Sequence, residues 1–254
     1  MALHRAAEMT FAEVARVARG AVALLPVGST EAHGPHLPLA TDVYIAEAVA
    51  AHVAVRLAGR SVEAVLFPAL SYGLTEFARA FAGTVSIPGV DVTSTVREAC
   101  TGIAAAGFRA VIVLNHHLEP AHFRAVREGA DAARKLGTRV CCPDHRRKPW
   151  AAMLGEEFTH GGAHAGLYET SLVLASRPEL VREEIRSELK PVEVNLAGSI
   201  KAGATDFHSA GGPDAYFGHP GLATAIEGAR LLDVLADVAL AALDELESAA
   251  DISR

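Results

Sequence analysis

Four apolar runs of strand length alternate with longer helical patterns, and that alternation constrains the fold more than any other feature. The runs are AVALLPVGS (21–29), SVEAVLFPAL (61–70), FRAVIVLN (108–115) and TRVCCPD (138–144). They are apolar on both faces, so each is to be buried on both sides. Between and around them lie helical stretches. Thr10 and Glu13 have capping-box spacing and open a helix to about residue 19. Residues 42–58 are alanine-rich, 91–106 follow the same pattern, and 119–136 are amphipathic and end at Gly137. A final helix spans about 222–248. Such alternation predicts a mainly parallel sheet covered by helices on both sides. No linker, repeat or low-complexity segment divides residues 1–254, which predicts a single three-layer α/β/α domain. Residues 73–89 read as an irregular loop, 144–166 as a mixed, histidine-bearing stretch, 168–176 as ambiguous, and 190–220 as a long structured loop.

Composition narrows the class. Half of the 254 residues are apolar, enough for a large core. The formal charge is -7 and no basic block occurs, so nothing points to nucleic acid or an anionic membrane. Three cysteines (Cys100, Cys141 and Cys142), an odd number without C-x-x-C spacing, argue against disulfides or a thiolate zinc site. The first long apolar run is too short to span a bilayer, and no signal-peptide pattern precedes it. A cytoplasmic protein is expected.

In parallel sheets, ligands bind beyond the carboxyl ends of the strands. The first strand ends in GSTEAHGPHLPLATD (28–42), where Glu31 and His33 are two apart and so share one side of an extended chain. Asp42 follows at a helix start, where an acid can also be an ordinary cap. The third strand ends in Asn115-His116-His117-Leu118-Glu119, and again a histidine and an acid, His117 and Glu119, are two apart. Either cluster taken alone can also be read as a polar loop. Together they can converge on one sheet edge, with one aspartate between two ions. Such oxygen and nitrogen donors suit two divalent ions, Zn2+ or Mn2+, with Fe2+ also acceptable. In HGGAHAGLYETS (160–171), His164 sits among small residues and Glu169 follows five positions later. His164 is a candidate proton donor and Glu169 a candidate to orient it. His116 points either away from the metals, toward another subunit, or into the substrate cavity. His122 lies within the helix that follows and is not read as a ligand.

These segments, with FAGTVSI (81–87) and GHPGLATAIEG (218–228), resemble the creatininase family of metal-dependent amidohydrolases, in the family's order, from residue 10 to about 235. The resemblance implies that Glu31 and His117 hold one ion and His33 and Glu119 the other, with Asp42 bridging. It implies His164 as proton donor with Glu169 beside it, and a homo-oligomer, often a hexamer. His116 and Pro120 stand where many relatives have glycine and asparagine. His160 and Gly161 occupy the positions of a Trp-Asp pair in creatininase itself. Creatinine is therefore not the expected substrate. His116, His160 and Trp150, the only tryptophan, are candidate substrate-binding residues. The expected activity is hydrolysis of a C–N bond in a small cyclic amide or formamide-like substrate, by a hydroxide bridging the two ions. The alternatives are a peptidase trimming a modified precursor peptide, as in mycofactocin maturation, and a catalytically silent metal-binding scaffold.

Overall fold

Five strands form one sheet: β1 (His4–Arg5), β2 (Val22–Val27), β3 (Ala64–Leu66), β4 (Ala110–Asn115) and β5 (Val140–Cys141). The structure, a computed structural model, describes residues 3–161 and 163–251. The strand order is β1-β3-β2-β4-β5, and every pair is parallel. The connecting helices are α1 (Phe11–Val17), α2 (Thr41–Gly59), α3 (Gly89–Ala105) and α4 (Pro120–Lys135). Four short helices, α5 (Lys148–Ala151), α6 (Glu156–His160), α9 (Leu196–Lys201) and α10 (Phe207–Ala210), punctuate the stretches expected to be irregular. Between them lie α7 (Leu167–Ser176), which resolves the ambiguous segment as helix, and α8 (Glu183–Arg186); α11 (Ala225–Asp251) closes the chain.

Alternation along β2 explains the layers. Val22 and Leu24 face one core, where α2, α7 and α11 supply Val49, Leu172, Leu231 and Leu235. Ala23, Leu25 and Val27 face the other, against Val96 and Cys100 of α3 and Val126 and Ala130 of α4. Each buried leucine or valine contributes roughly 1.5–3 kcal/mol. Two of the expected strands are shorter than their apolar runs. β3 stops before Pro68, which has no N–H to continue a ladder, and only an isolated bridge from Leu70 to Val27 follows. β5 likewise ends before Pro143. Thr10 and Glu13 form the expected capping box on α1. Among the described residues no helix is long and apolar enough to cross a membrane.

Register is what positions the site. β2 and β4 pair without offset from Val22 opposite Ala110 to Val27 opposite Asn115. Both chains therefore leave the sheet at the same level, side by side.

Candidate metal centre

Gly28 follows β2 where only a hydrogen fits. A Cβ there would lie 2.8 Å from the Asp42 Cβ and 2.7 Å from the Val43 nitrogen. This close approach presses the first turn of α2 against the strand end and carries Asp42 into the site. Asp42 lies inside that turn and is not its cap; the N-cap is Ala40, with no side-chain cap bond. The helix dipole favours an acid there. Glu31 and His33 leave β2, His117 leaves β4, and Glu169 enters from the first turn of α7. All five of these side chains are 4% exposed or less.

Their polar atoms converge. Nδ1 of His117 lies 3.2 Å from Glu31 Oε1 and 3.1 Å from Asp42 Oδ2. Nε2 of His33 lies 3.1 Å from Asp42 Oδ1, 3.5 Å from Glu169 Oε2 and 3.7 Å from Glu31 Oε1. Three groups thus bring candidate ligand atoms within 4.8 Å of one another: Glu31, Asp42 and His117; His33, Asp42 and Glu169; and Glu31, His33 and His164. Asp42 belongs to the first two.

The imidazoles are oriented by carbonyls, which can only accept. His117 Nε2 donates to the Leu74 carbonyl at 2.9 Å, His33 Nδ1 to that of Glu31 at 3.1 Å, and His164 Nε2 to that of Ala32 at 3.0 Å. The second nitrogen of each ring then faces carboxylates, so a proton or another cation must stand between them. Burial opposes a charged His33, but Asp42, Glu169 and Glu31 outweigh it and hold its pKa up at about 10. His117 is likewise raised, by Glu31 and Asp42 against burial. Burial would raise Asp42, but His33 and His117 hold it below the usual carboxylate range. With the imidazoles neutral, as metal ligands must be, three carboxylates here would concentrate negative charge. Divalent ions would neutralise it, and a donor set of nitrogen and carboxylate without thiolate suits Zn2+ and Mn2+.

Glu119 and Glu169 differ from the pairing the resemblance implies. Glu169, not Glu119, stands beside His33 and Asp42. Its Oε2 accepts the Ala165 N–H at 2.6 Å. Ala165 has a left-handed φ of 50°, a conformation costing on the order of 1–2 kcal/mol, which turns the chain between His164 and α7. Glu119 occupies the N-cap of α4 without capping it; its Oε2 instead accepts the Phe77 N–H at 3.3 Å. Burial pushes the Glu119 carboxyl up to about 7 and that of Glu169 up to about 8. Burial, reinforced by His33, lowers His164 to about 4. The His164 ring packs 4.4 Å from that of Phe207 and 4.5 Å from that of His33.

Above this floor lies a cavity of about 910 Å3, reached by Glu31, Asp42, His117, Glu119, His164 and Glu169. His116, His160 and Trp150, the candidate substrate-binding residues, are not among the residues that line it. His116 follows β4 with its ring on the opposite side from His117, buried and stacked on His145 at 5.1 Å. His160 ends α6, exposed, with Nδ1 bonded to the Glu156 carbonyl at 2.7 Å. Trp150 is half-buried in α5, whose Lys148 and Ala151 face the cavity in its place.

Other contributors were not visible in the sequence. Thr75 is buried and donates a short hydrogen bond to Glu31 Oε2. Leu74 takes the His117 proton at its carbonyl and donates its N–H to His122 Nδ1 at 3.2 Å. His122 Nε2 in turn donates to Asn115 Oδ1 at 3.1 Å, and Asn115 Nδ2 donates to the His117 carbonyl at 2.8 Å. His122 is thus a neutral support, lowered to about 3 mainly by burial. The only sequence signal for Thr75 and Leu74 was their nearness to FAGTVSI, which bridges back to the first cluster through Val85 and Thr30.

Comparison with known proteins identifies the family. The sequence model of the Creatininase family, described as creatinine amidohydrolase, matches residues 7–243. A mycofactocin precursor peptide peptidase of Mycobacterium ulcerans (strain Agy99) is 34% identical over 220 residues, 84% of this chain and 81% of that protein. A creatinine amidohydrolase of Pseudomonas putida is 33% identical over 196 residues, 68% of this chain and 72% of that protein. The solved manganese form of creatininase superposes with a TM-score of 0.74 at 26% identity, covering 96% of this chain and 99% of its own. With the family's sequence pattern running through nearly all of the chain and its fold reproduced around the clustered acids and histidines, this protein belongs to the creatininase family.

Proposed function

We propose that the protein is a two-metal hydrolase that cleaves the C–N bond of a peptide-like amide. The observation that carries this reading is the pair of ligand groups sharing Asp42 at the floor of one large cavity. Glu31, Asp42 and His117 would hold one ion, and His33, Asp42 and Glu169 the other. When bound, such a pair supplies an acidified water as nucleophile and polarises a carbonyl.

The remaining residues act on the substrate. Glu119 has one oxygen anchored by Phe77 and lines the cavity, which leaves the other oxygen free to face the substrate. We assign it the proton transfer, with Oε1 taking a proton and passing it to the departing nitrogen. His164 has Nε2 committed to the Ala32 carbonyl and turns Nδ1 toward Glu31, so it serves as a hydrogen-bonding partner at Nδ1. Glu169 thereby takes the ligand place that the family resemblance gives to Glu119, and Glu119 the proton transfer that it gives to His164. The cavity volume stands near the upper end of the roughly 300–1,000 Å3 usual for small-molecule sites, which favours a peptide-sized amide. Likeness to a peptide peptidase supports the same choice, and likeness to a creatinine amidohydrolase supports a small cyclic amide as the second reading.

The test is to load the protein with Mn2+ or Zn2+, count bound ions, and assay creatinine beside N-capped short peptides. Two ions per chain with faster turnover of the peptides is expected. Fewer than one ion per chain, or no hydrolysis of either class, would reject the proposal.

A further inference from the structure

The cavity is lined by groups of both charges. Its floor carries the carboxylates of Glu31, Asp42, Glu119 and Glu169, and its walls are Phe77, Leu118, Phe158, Leu196, Ile200 and Phe207. Three cations, Arg146, Lys148 and Lys201, also line it, in a chain whose acids outnumber its lysines and arginines by 30 to 23.

Arg146 is already engaged. Its Nε and Nη2 bond the Asp144 carboxylate at 2.9 and 3.2 Å, and its guanidinium lies 3.3 Å over the Phe123 ring. Lys148, at the start of α5, and Lys201, at the end of α9, are exposed, and neither makes an ion pair among the described residues. They come from two separate stretches of chain, yet line the same space.

Resting on the hydrolase reading above, we propose that Lys148 and Lys201 receive a free carboxylate of the substrate, so that the enzyme selects amides ending in an anion over their neutral counterparts. A substrate carboxylate near the floor would meet four carboxylates of like sign, whereas at the lysines it meets opposite charge. The apolar lining suits the side chains of a peptide-like substrate. An amide cut close to the carboxyl end of a peptide has this order: carbonyl, apolar residue, carboxylate. The bland alternative, two solvated rim lysines without a ligand, predicts no such preference.

The probes are N-acetyl-phenylalanyl-leucine and its C-terminal amide. Their dissociation constants are measured by calorimetry on the full-length, Mn2+-loaded protein carrying Glu119→Gln to block hydrolysis. Two exposed charge pairs predict that the acid binds about fivefold to tenfold more tightly than the amide. The added double substitution Lys148→Met and Lys201→Met should bring that ratio close to one with metal content unchanged. High salt should shrink the ratio in the parent protein. Equal binding of acid and amide, failure of both to bind, or a preference that survives the double substitution would each overturn the assignment. If the preference appears and depends on the lysines, yet the protein with Glu119 intact hydrolyses neither probe, the lysine site stands and the hydrolase reading falls.

Discussion

At the floor of the cavity, the candidate ligands come from the ends of two six-residue strands and the first turns of two longer helices. At the roof, Lys148, Phe158, Leu196 and Lys201 come from helices of four, five and six residues. The floor residues are buried and each is tied to backbone or to another side chain, as by Thr75, Leu74 and Ala165. The roof residues are exposed or half-buried. A parallel ladder and packed helices hold atoms to a fraction of an ångström, as shared ligands require. Short surface helices vary in length and charge at small cost to the core. Under the proposed function, the floor would carry the reaction and the roof the choice of substrate.

The sharpest challenge to that division is Asp42→Ala. If Asp42 is common to both ions, the dialysed variant should hold less than one ion per chain by elemental analysis. Two ions retained would separate the two ligand groups. Next comes the pair of glutamates. Glu169→Gln should lose one ion, while Glu119→Gln should keep both and slow turnover by roughly 10²–10⁴. The opposite pattern of metal loss would restore the pairing implied by the family resemblance.

Proton linkage tests the floor alone. His33 is held up at about 10 against an ordinary value of 6.5. Its contribution to the stability of the metal-free protein is therefore complete below about 6.5 and lost as pH rises toward about 10. Glu119, raised to about 7, works in the same direction: folding relative to its ionised unfolded form is favoured less as pH climbs through that value. Metal-free protein should accordingly melt at lower temperature at pH 9.5 than at pH 6.5. Metal uptake should release protons and tighten with pH, because a ligand imidazole must be neutral. Calorimetry in buffers of different ionisation enthalpy reads this directly, and proton-free metal binding would contradict it.

Two smaller effects complete the series. Thr75→Val removes the hydroxyl on Glu31 and should weaken metal binding about 10–100-fold, with the fold intact by circular dichroism. His116→Ala should cost about 1–3 kcal/mol of stability through its lost contact with His145 and leave substrate preference unchanged. An altered preference would extend the substrate's reach beyond the cavity.

The legible parts of this molecule were those with a period. Buried strands and long helices carry one, and the two-residue spacings 31/33 and 117/119 follow from the extended chain at a strand end. The same rule separates the neighbours His116 and His117, and His116 stacks on His145. Glu119 and Glu169 were not separable in this way. Their directions depend on the N–H groups of Phe77 and Ala165, and nothing in the local sequence marks those partners. Thr75 was hidden for the same reason, inside a segment with no period. The roof helices are too short to show any periodicity. The lysines they bring to the cavity are ordinary surface residues in sequence.

Leu74 grips two rings at once, with its carbonyl on His117 and its N–H on His122. That segment cannot shift without disturbing both imidazoles together. If His117 holds a metal as proposed, any movement that admits substrate would fall to the short helices lining the cavity, which among the described residues have no such tie to the ligands.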